Sequence, residues 1–408
     1  MKSLSLNSIC AASILAALAM PVRPSAQSQA GAPAQGPTAP HYAVTDLGTL
    51  QGGTFSQPFF INKSGMVAGS STNSAGSQNA VLWFKGNMTD IGTPGLGGTN
   101  SIAFAVNEGG AAAGEAENSI SDPNGEDFCG FGTHVICLPF VWENNVMTPL
   151  PTLGGSNGAA NLVNNLGQIA GTAENATTDP ECPAPQVLHF KPVYWENGKI
   201  HELPTHRGDP DGIAFAVNDH GQIVGGSGTC TTFNPNFLDS LLSRHALLWQ
   251  KGRLTDLGSL GGKTGKAGGN LAVDLNNRGE VVGFSDLAGD TTFHAFRWTQ
   301  VTGMLDLGTV QGDVASSAIS INERSVVVGL SIAANGNTRA VVWHKGVPSD
   351  LNTLVEGNSP LYLLTGCSIN SRGEITGLGA TSTGEIHTYL AVPVHHDESS
   401  AEGRNDRE

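Results

Sequence analysis

Ala214-Phe215-Ala216-Val217-Asn218-Asp219-His220-Gly221-Gln222-Ile223-Val224-Gly225 places two short apolar runs on either side of an asparagine and a glycine three residues apart. Each run has the length of a strand, and the Asn-x-x-Gly between them is a turn signal. The same frame, N-x-x-G-x-x-x-G, recurs along the chain. Its asparagines are Asn62, Asn107, Asn164, Asn218, Asn276, Asn322 and Asn370. Gly65, Gly110, Gly167, Gly221, Gly279, Ser325 and Gly373 follow three residues later, and Gly69, Gly114, Gly171, Gly225, Gly283, Gly329 and Gly377 seven residues later. A fixed unit of this size is the mark of a repeat architecture.

Working outward, each unit reads as four strands. The first ends at the asparagine and the second follows the turn. The third carries a tryptophan, as in His245-Ala246-Leu247-Leu248-Trp249 and His294-Ala295-Phe296-Arg297-Trp298. The fourth is of the Leu254-Thr255-Asp256-Leu257-Gly258 type. The asparagine side chain nucleates the turn and the glycine supplies a positive φ; a ring of seven ligand-binding amides is the costlier explanation. One residue before the asparagines stand Ile61, Val106, Val163, Val217, Leu275, Ile321 and Ile369, all aliphatic. Four before stand Pro58, Ala103, Ala160, Ala214, Ala272, Ala318 and Gly366, all small. That pattern suits inner strands crowded between neighbouring sheets. The six tryptophans, Trp83, Trp142, Trp195, Trp249, Trp298 and Trp343, share one place in the third strand, and Ala391 stands there in the seventh unit. Blade-to-blade packing is expected to bury the rings and supply the indole N–H with a partner.

The ends decide the topology. The seventh unit has strands near 366–369, 374–378 and 387–392 but no fourth, whereas an unpaired fourth-strand sequence, Tyr42 to Gly48, opens the domain. The expected fold is therefore all-β: a seven-bladed β-propeller of four-stranded blades, closed by the N-terminal strand completing the last blade. An open solenoid would call for capping repeats instead.

The flanks read differently. Residues 1–30 combine Lys2, an apolar run from Ile9 to Met20 and the small-residue site Ser28-Gln29-Ala30, with Ala26 as a second cut point. This is the pattern of a secretory signal peptide. Cys10 has a poor lipidation context. Residues 31–40 form a Pro/Gly/Ala linker, 41–393 the propeller, and 394–408 an acidic tail expected to be disordered. Loss of residues 1–30 removes Lys2 and Arg23 and no acid, taking the formal charge from −15 to −17. Such acidity argues against nucleic acid and anionic membranes as partners. A secreted, periplasmic or cell-surface monomer is expected, with no membrane span after cleavage.

Export permits disulfides. Cys129–Cys137 within the blade-2 loop and Cys182–Cys230 between adjacent loops are the expected pairs, and Cys367 is read as a buried free thiol.

The array resembles the HAF repeat family of extracellular repeat proteins over about residues 42–392. Asp46-Leu47-Gly48-Thr49-Leu50, Thr152-Leu153-Gly154-Gly155, Asp256 to Gly262 and His294 to Trp298 carry the resemblance. The name-giving histidine stands only at His245, His294 and His387; Asn79, Leu138, Lys191 or Pro192, and Arg339 replace it elsewhere. A seven-fold metal ring of histidines is thereby disfavoured, and the resemblance carries over no catalytic residue.

The second-to-third-strand loops are short at 70–78, 285–292 and 331–337, but long at 115–138, 172–190 and 226–244. Long loops on a rigid scaffold favour binding, so the ligand face is expected on blades 2 to 4. Asp122, Asn124, Glu126 and Asp127 bring oxygens together in the blade-2 loop, and Asp209 and Asp211 do so in the link entering blade 4. Calcium is the cation such oxygens suit, although a solvated acidic turn is the plainer reading. The repeated Asp46, Asp90, Asp256, Asp306 and Asp350 suit bonds to loop backbone. Asp274 breaks its register, since Phe60, Ala105, Leu162, Ala216, Ser320 and Ser368 hold the equivalent places; it should face the channel or find a donor. His206 adds an ionisable group near the blade-4 entrance.

No Walker loop, zinc spacing or Ser-His-acid motif occurs, and no organic cofactor is expected. The leading functional expectation is a non-enzymatic recognition or scaffold protein for an extracellular glycan or surface protein. A propeller hydrolase or lyase acting on extracellular carbohydrate is the runner-up, and a structural surface protein the third reading.

Overall fold

The computed structural model describes residues 40–230 and 241–394. The expected signal peptide, the linker up to residue 39, the tail beyond residue 394 and the centre of the blade-4 loop lie outside the described residues. Seven antiparallel sheets of four strands follow one another along the chain. Six are built from consecutive strands. The seventh combines Tyr362–Ile369, Ile375–Ala380 and Ile386–Pro393 with the N-terminal strand Tyr42–Asp46. Tyr42 pairs with Pro393 and Asp46 with Tyr389, so the ends of the domain are hydrogen-bonded into one blade. The seven-bladed, N-terminally closed propeller is the observed architecture.

The repeated asparagine performs two jobs. Its Oδ1 accepts the backbone N–H four residues on, for example Gln222 at 3.0 Å from Asn218, which closes the expected turn. Its Nδ2 donates to the backbone carbonyl of the equivalent asparagine in the next blade. The bonds run Asn62 to Asn107 (3.0 Å), Asn107 to Asn164 (3.2 Å), Asn164 to Asn218 (2.9 Å) and Asn218 to Asn276 (3.0 Å). They continue from Asn276 to Asn322 (3.1 Å) and Asn322 to Asn370 (3.1 Å), and Asn370 returns to Asn62 (3.0 Å). Six of the seven asparagines are buried and Asn107 is half-buried. The circle of amides crosses every blade junction, including the one joining the two ends of the domain.

The two glycines of the motif are required for different reasons. The one three residues on takes a positive φ in every turn, and Ser325 adopts the same region at 57°. The one seven residues on has no such φ. A Cβ at Gly225 would lie 2.0 Å from the carbonyl oxygen of Ile213, and at Gly377 1.9 Å from that of Thr365. Here glycine permits a close backbone approach. Each of these glycines pairs with the small residue four before the asparagine, as Gly225 does with Ala214 and Gly69 with Pro58. Directly after that pair every first strand carries a register shift. The bulge adds one residue to the inner strand and re-aims its side chains.

Third-strand tryptophans occupy the same register throughout, each opposite the residue five after the asparagine. Trp195, Trp249 and Trp343 donate to the carbonyls of Pro151, Pro204 and Leu307 in the links that enter their blades, at 2.8, 2.7 and 2.9 Å. Trp83 is buried without a partner for its indole N–H, so that expectation fails in blade 1. In blade 7 the missing ring is replaced from two residues earlier. Tyr389 is fully buried against Gly377 and donates to the Thr365 carbonyl at 2.9 Å. Phe140 and Phe296 hold the same position in blades 2 and 5, beside partly exposed Trp142 and Trp298. The ring that fills the last junction thus comes from the position used in two others.

Asn218→Ala removes an inter-blade donor and a turn acceptor, and is expected to cost about 2–4 kcal/mol in denaturant unfolding. Asn218→Asp keeps the turn acceptor and loses the donor, so it should also be destabilised. An Asp variant as stable as the parent would mean that the amide circle contributes nothing.

Candidate functional site

The bulged inner strands line the central channel. Phe59, Phe104, Phe215, Val273, Ile319 and Cys367 line a pocket there, together with Phe60, Asp274, Ser320 and Ser368. Phe59 and Phe104 meet edge to face at 4.8 Å. The wall is mainly apolar. Asp274 faces it as expected, and its carboxylate is spent on structure: Oδ1 accepts Leu275 N–H (2.8 Å), while Oδ2 accepts Ser320 O–H (2.9 Å) and Ile321 N–H (3.0 Å) of the next blade. Burial pushes its carboxyl up to about 6 against the pull of those donors. Ser320 and Ser368 repeat the device, accepting Ile369 N–H and Ile61 N–H in turn. Asp274 is thus one of three polar side chains that satisfy an amide freed by the bulge.

The long segments of blades 2 and 3 are mostly strand. Ala112–Ser121 and Val135–Glu143 extend their hairpin as far as Ser121 opposite Val135, and Ile169–Thr178 reaches Leu188. Only 122–134 and 179–187 remain irregular. The expected disulfides Cys129–Cys137 and Cys182–Cys230 are both present, the latter tying blade 3 to blade 4. Cys367 is buried, but none of the described cysteines is a free thiol, which corrects that expectation.

Asp122 and Glu126 are buried, so the solvated acidic turn is also corrected. Their oxygens are filled by protein donors. Asp122 Oδ1 accepts Asn124 and Glu126 N–H at 2.8 and 3.0 Å. Glu126 Oε1 accepts Val187 N–H (2.7 Å), Leu188 N–H (2.8 Å) and Gln186 Nε2 (3.1 Å) of the blade-3 segment. Asp127 accepts Gly132 N–H at 2.9 Å, and Asn124 is exposed, reaching Glu126 at 3.4 Å. Asn157 Nδ2 sits between Asp122 (3.0 Å), Glu126 (3.4 Å) and Glu174 (3.0 Å). Two amide hydrogens cannot serve three carboxylates, and burial together with the Glu126 charge pushes Glu174 up to about 8. Glu126 is shifted in the same direction, first by burial. Fully buried Glu115 is raised well above the carboxylate range by burial and by Glu117 and Asp127. The set is a proton-holding clamp between two loops.

At the junction of blades 3 and 4, histidines and carboxylates converge. Asp209, in the link, accepts His245 Nδ1–H (2.7 Å) and Ser227 O–H (2.6 Å) on one oxygen. His206 stacks on His245 with ring centroids 3.7 Å apart, and its Nε2 lies 3.8 Å from Asp256. Two residues beyond Asp209, Asp211 is fully buried. It accepts from His189 Nδ1 at 2.9 Å, and Asp179 Oδ2 lies 3.5 Å from that nitrogen. Burial pushes Asp211 up to about 6, His189 opposing and Asp179 reinforcing the shift. The structure therefore divides the residues expected at the blade-4 entrance: Asp209 and His206 join His245, and Asp211 joins His189 and Asp179, whereas Asp122, Asn124, Glu126 and Asp127 belong to the clamp and Asp274 to the channel wall. Asp179, His189 and Ser227 went unseen, because loop folding and strand pairing join them across 18 to 32 residues. The His-Phe pair at 189–190, two residues before the HAF register, was the available hint.

The shared third-strand position held by His294, His387, Asn79 and Arg339 is structural. His294 bonds Asp306 (3.0 Å), His387 bonds Asp46 (2.9 Å), Asn79 bonds Asp90 (3.0 Å), and Arg339 reaches Asp350 (3.5 Å). Each clamps the end of its own outer strand. Asp46, Asp256 and Asp306 also accept the N–H two residues on, as expected. Strand pairing puts Lys191, not Pro192, in the blade-3 register. Blade 4 departs: His245 leaves Asp256 to His206 and turns to Asp209.

No family model and no curated protein matches the sequence. Among solved structures, the chain is similar to the β-propeller domain of the Trilobed protease from Pyrococcus furiosus, described as having an open velcro topology. The TM-score is 0.51 at 11% identity over 90% of this chain and 100% of that one. It is also similar to a puromycin-hydrolyzing peptidase from Mycobacterium tuberculosis, with TM-score 0.51 and 12% identity, covering 86% of this chain and 55% of the peptidase. These likenesses show the propeller fold. Among the described residues, no helix is long and apolar enough to cross a membrane.

A raised Glu174 favours the protonated folded state, so its stabilisation is present below about 4.5 and lost as pH rises towards about 8. Glu174→Gln keeps the shape without the charge. Its melting temperature is expected to fall less than that of the parent between pH 5 and pH 8.5; parallel curves would show that Glu174 is not the proton holder.

Proposed function

We propose that the chain is an exported propeller enzyme of hydrolase or lyase type, acting on extracellular carbohydrate, with His245 as its acid–base group. The observation that carries this reading is the buried Asp209 carboxylate against His245 Nδ1 at 2.7 Å, with the imidazole side chain still 28% exposed. A carboxylate on Nδ1 fixes the tautomer and leaves Nε2 to accept a proton from water or from an acidic carbon. Ser227 bonds the carboxylate and not the imidazole, so it braces Asp209 and is no nucleophile. His206 packs on the imidazole face and restricts its rotation. The departure of blade 4 from the histidine–aspartate clamp of blades 5 and 7 supports a role beyond architecture. Export and an extracellular substrate rest on the signal-like residues 1–30 and on the HAF-type repeats.

A second reading, recognition of a glycan or surface protein without turnover, is favoured by the rigid wall of blades 2 and 3. There Glu126 ties the two loops together and a disulfide staples each. Such preorganisation lowers the ordering cost of binding.

The test is a panel of polysaccharides and chromogenic glycosides, assayed with and without added divalent metal. Turnover of at least one substrate is expected, with His245→Asn lowering kcat by about 100-fold or more and Ser227→Ala leaving measurable activity. Saturable binding without turnover by parent and variant alike would select the recognition reading.

A further inference from the structure

The junction of blades 3 and 4 holds a second group that the acid–base reading does not use. Asp179 follows the second strand of blade 3, His189 lies on its third strand (Leu188–Glu196), and Asp211 opens the first strand of blade 4 (Asp211–Val217). One ligand atom from each falls within 4.8 Å of the others. The carboxylate side chains are only 2% and 0% exposed. Asp179 Oδ2 and Asp211 Oδ2 are buried without any hydrogen-bond partner. Yet Asp179 Oδ2 is the oxygen turned to His189, 3.5 Å from Nδ1. Among the described residues, neither carboxylate has a lysine or arginine within ion-pair distance.

Two buried carboxylates with one imidazole and two orphaned oxygens form an electrostatic deficit. Burying charge without compensation is costly, and buried charges in folded proteins are paired or coordinate metals. We propose that Asp179, His189 and Asp211 bind a divalent first-row transition metal ion, zinc being the best fit. A tetrahedral zinc with ligands at about 2.0–2.2 Å holds neighbouring donor atoms roughly 3.3–3.6 Å apart. The Asp179 separation of 3.5 Å falls within that range, and the Asp211 separation of 2.9 Å, that of a direct hydrogen bond, would have to open by about 0.4 Å or more to admit the ion. The imidazole favours zinc over calcium, which takes oxygen ligands in larger number. His189 is 17% exposed at its side chain, so a water molecule can fill the fourth position. The calcium expected from Asp209 and Asp211 is thereby replaced, because the folded site pairs Asp211 with a nitrogen donor and draws Asp209 to His245.

The ion would pin the irregular 179–187 segment of blade 3 to the link that carries Asp209, within two residues of the proposed acid–base pair. Metal binding is measured without substrate, so this proposal and the acid–base reading can fail separately.

The test uses the full mature chain, stripped with chelator and titrated calorimetrically with zinc, manganese and calcium chloride. Bound zinc is then counted by plasma mass spectrometry. Zinc is expected to bind, with Asp211→Asn and His189→Ala each retaining one equivalent fewer than the parent or binding about 10- to 100-fold more weakly. His245→Ala should keep this equivalent. Zinc should raise the melting temperature of the parent and leave that of Asp211→Asn nearly unchanged. Because Asp211→Asn removes an uncompensated buried charge, the metal-free variant should melt no lower than the metal-free parent, which separates lost ligation from misfolding. Equal zinc binding by parent and Asp211→Asn, no zinc binding at all, or binding of calcium alone would each overturn the proposal.

Discussion

A propeller has to hold together sheets that share no backbone ladder, and here the side-chain amide of one asparagine per blade does so. Each Asn Nδ2 reaches the carbonyl of its counterpart in the next blade, and the seventh returns to the first. The same amide's Oδ1 closes the turn of its own blade, whose asparagine carbonyl receives the amide of the preceding blade. Turn geometry and blade spacing are therefore set by a single planar group. A shorter side chain would not span the junction, and a carboxylate would place charge where the neighbouring carbonyl needs a donor. Buried donors and acceptors of this kind are costly to leave unpaired, so the circle favours seven blades closed in register.

The inner strands obey the same economy. The small residue and the glycine facing it bring two backbones too close for a second Cβ, and the chain responds with a bulge. The bulge frees an amide and points a pair of residues into the channel. Blades 5, 6 and 7 satisfy the next blade's amide with Asp274, Ser320 and Ser368. A carboxylate in the channel thus repairs a backbone defect.

The histidine–carboxylate clusters lie where the repeat is broken. In blades 5 and 7 the third-strand histidine locks its own outer strand, whereas in blade 4 it turns to a carboxylate from the link. In blade 3 a histidine outside the repeat register meets Asp211 and Asp179. Both exceptions lie beside a blade junction stapled by the Cys182–Cys230 bond, so flexible-looking segments are held by the rigid ring. Between blades 2 and 3 the acidic residues serve cohesion instead: Glu126 and Glu174 trade solvent for backbone amides and an asparagine, and burial shifts both towards the protonated form.

Strand identity, blade number and the closing role of Tyr42 to Gly48 were legible in the sequence, because each follows from spacing within one unit and from a count of units at the two ends. Local rules of turn chemistry and residue size carry that information. The amide circle was not legible, since a turn-forming asparagine and a junction-spanning one look alike until the next blade is in place. Nor was the division among the acidic residues. Asp122 and Glu126 belong to a clamp, Asp274 to the channel and Asp211 to a histidine cluster, because partners 22 to 62 residues away arrive only when strands pair and loops fold together. Composition and spacing determined which ring would form. Only the tertiary structure decided which carboxylates are satisfied by protein donors and which are left with an oxygen to spare.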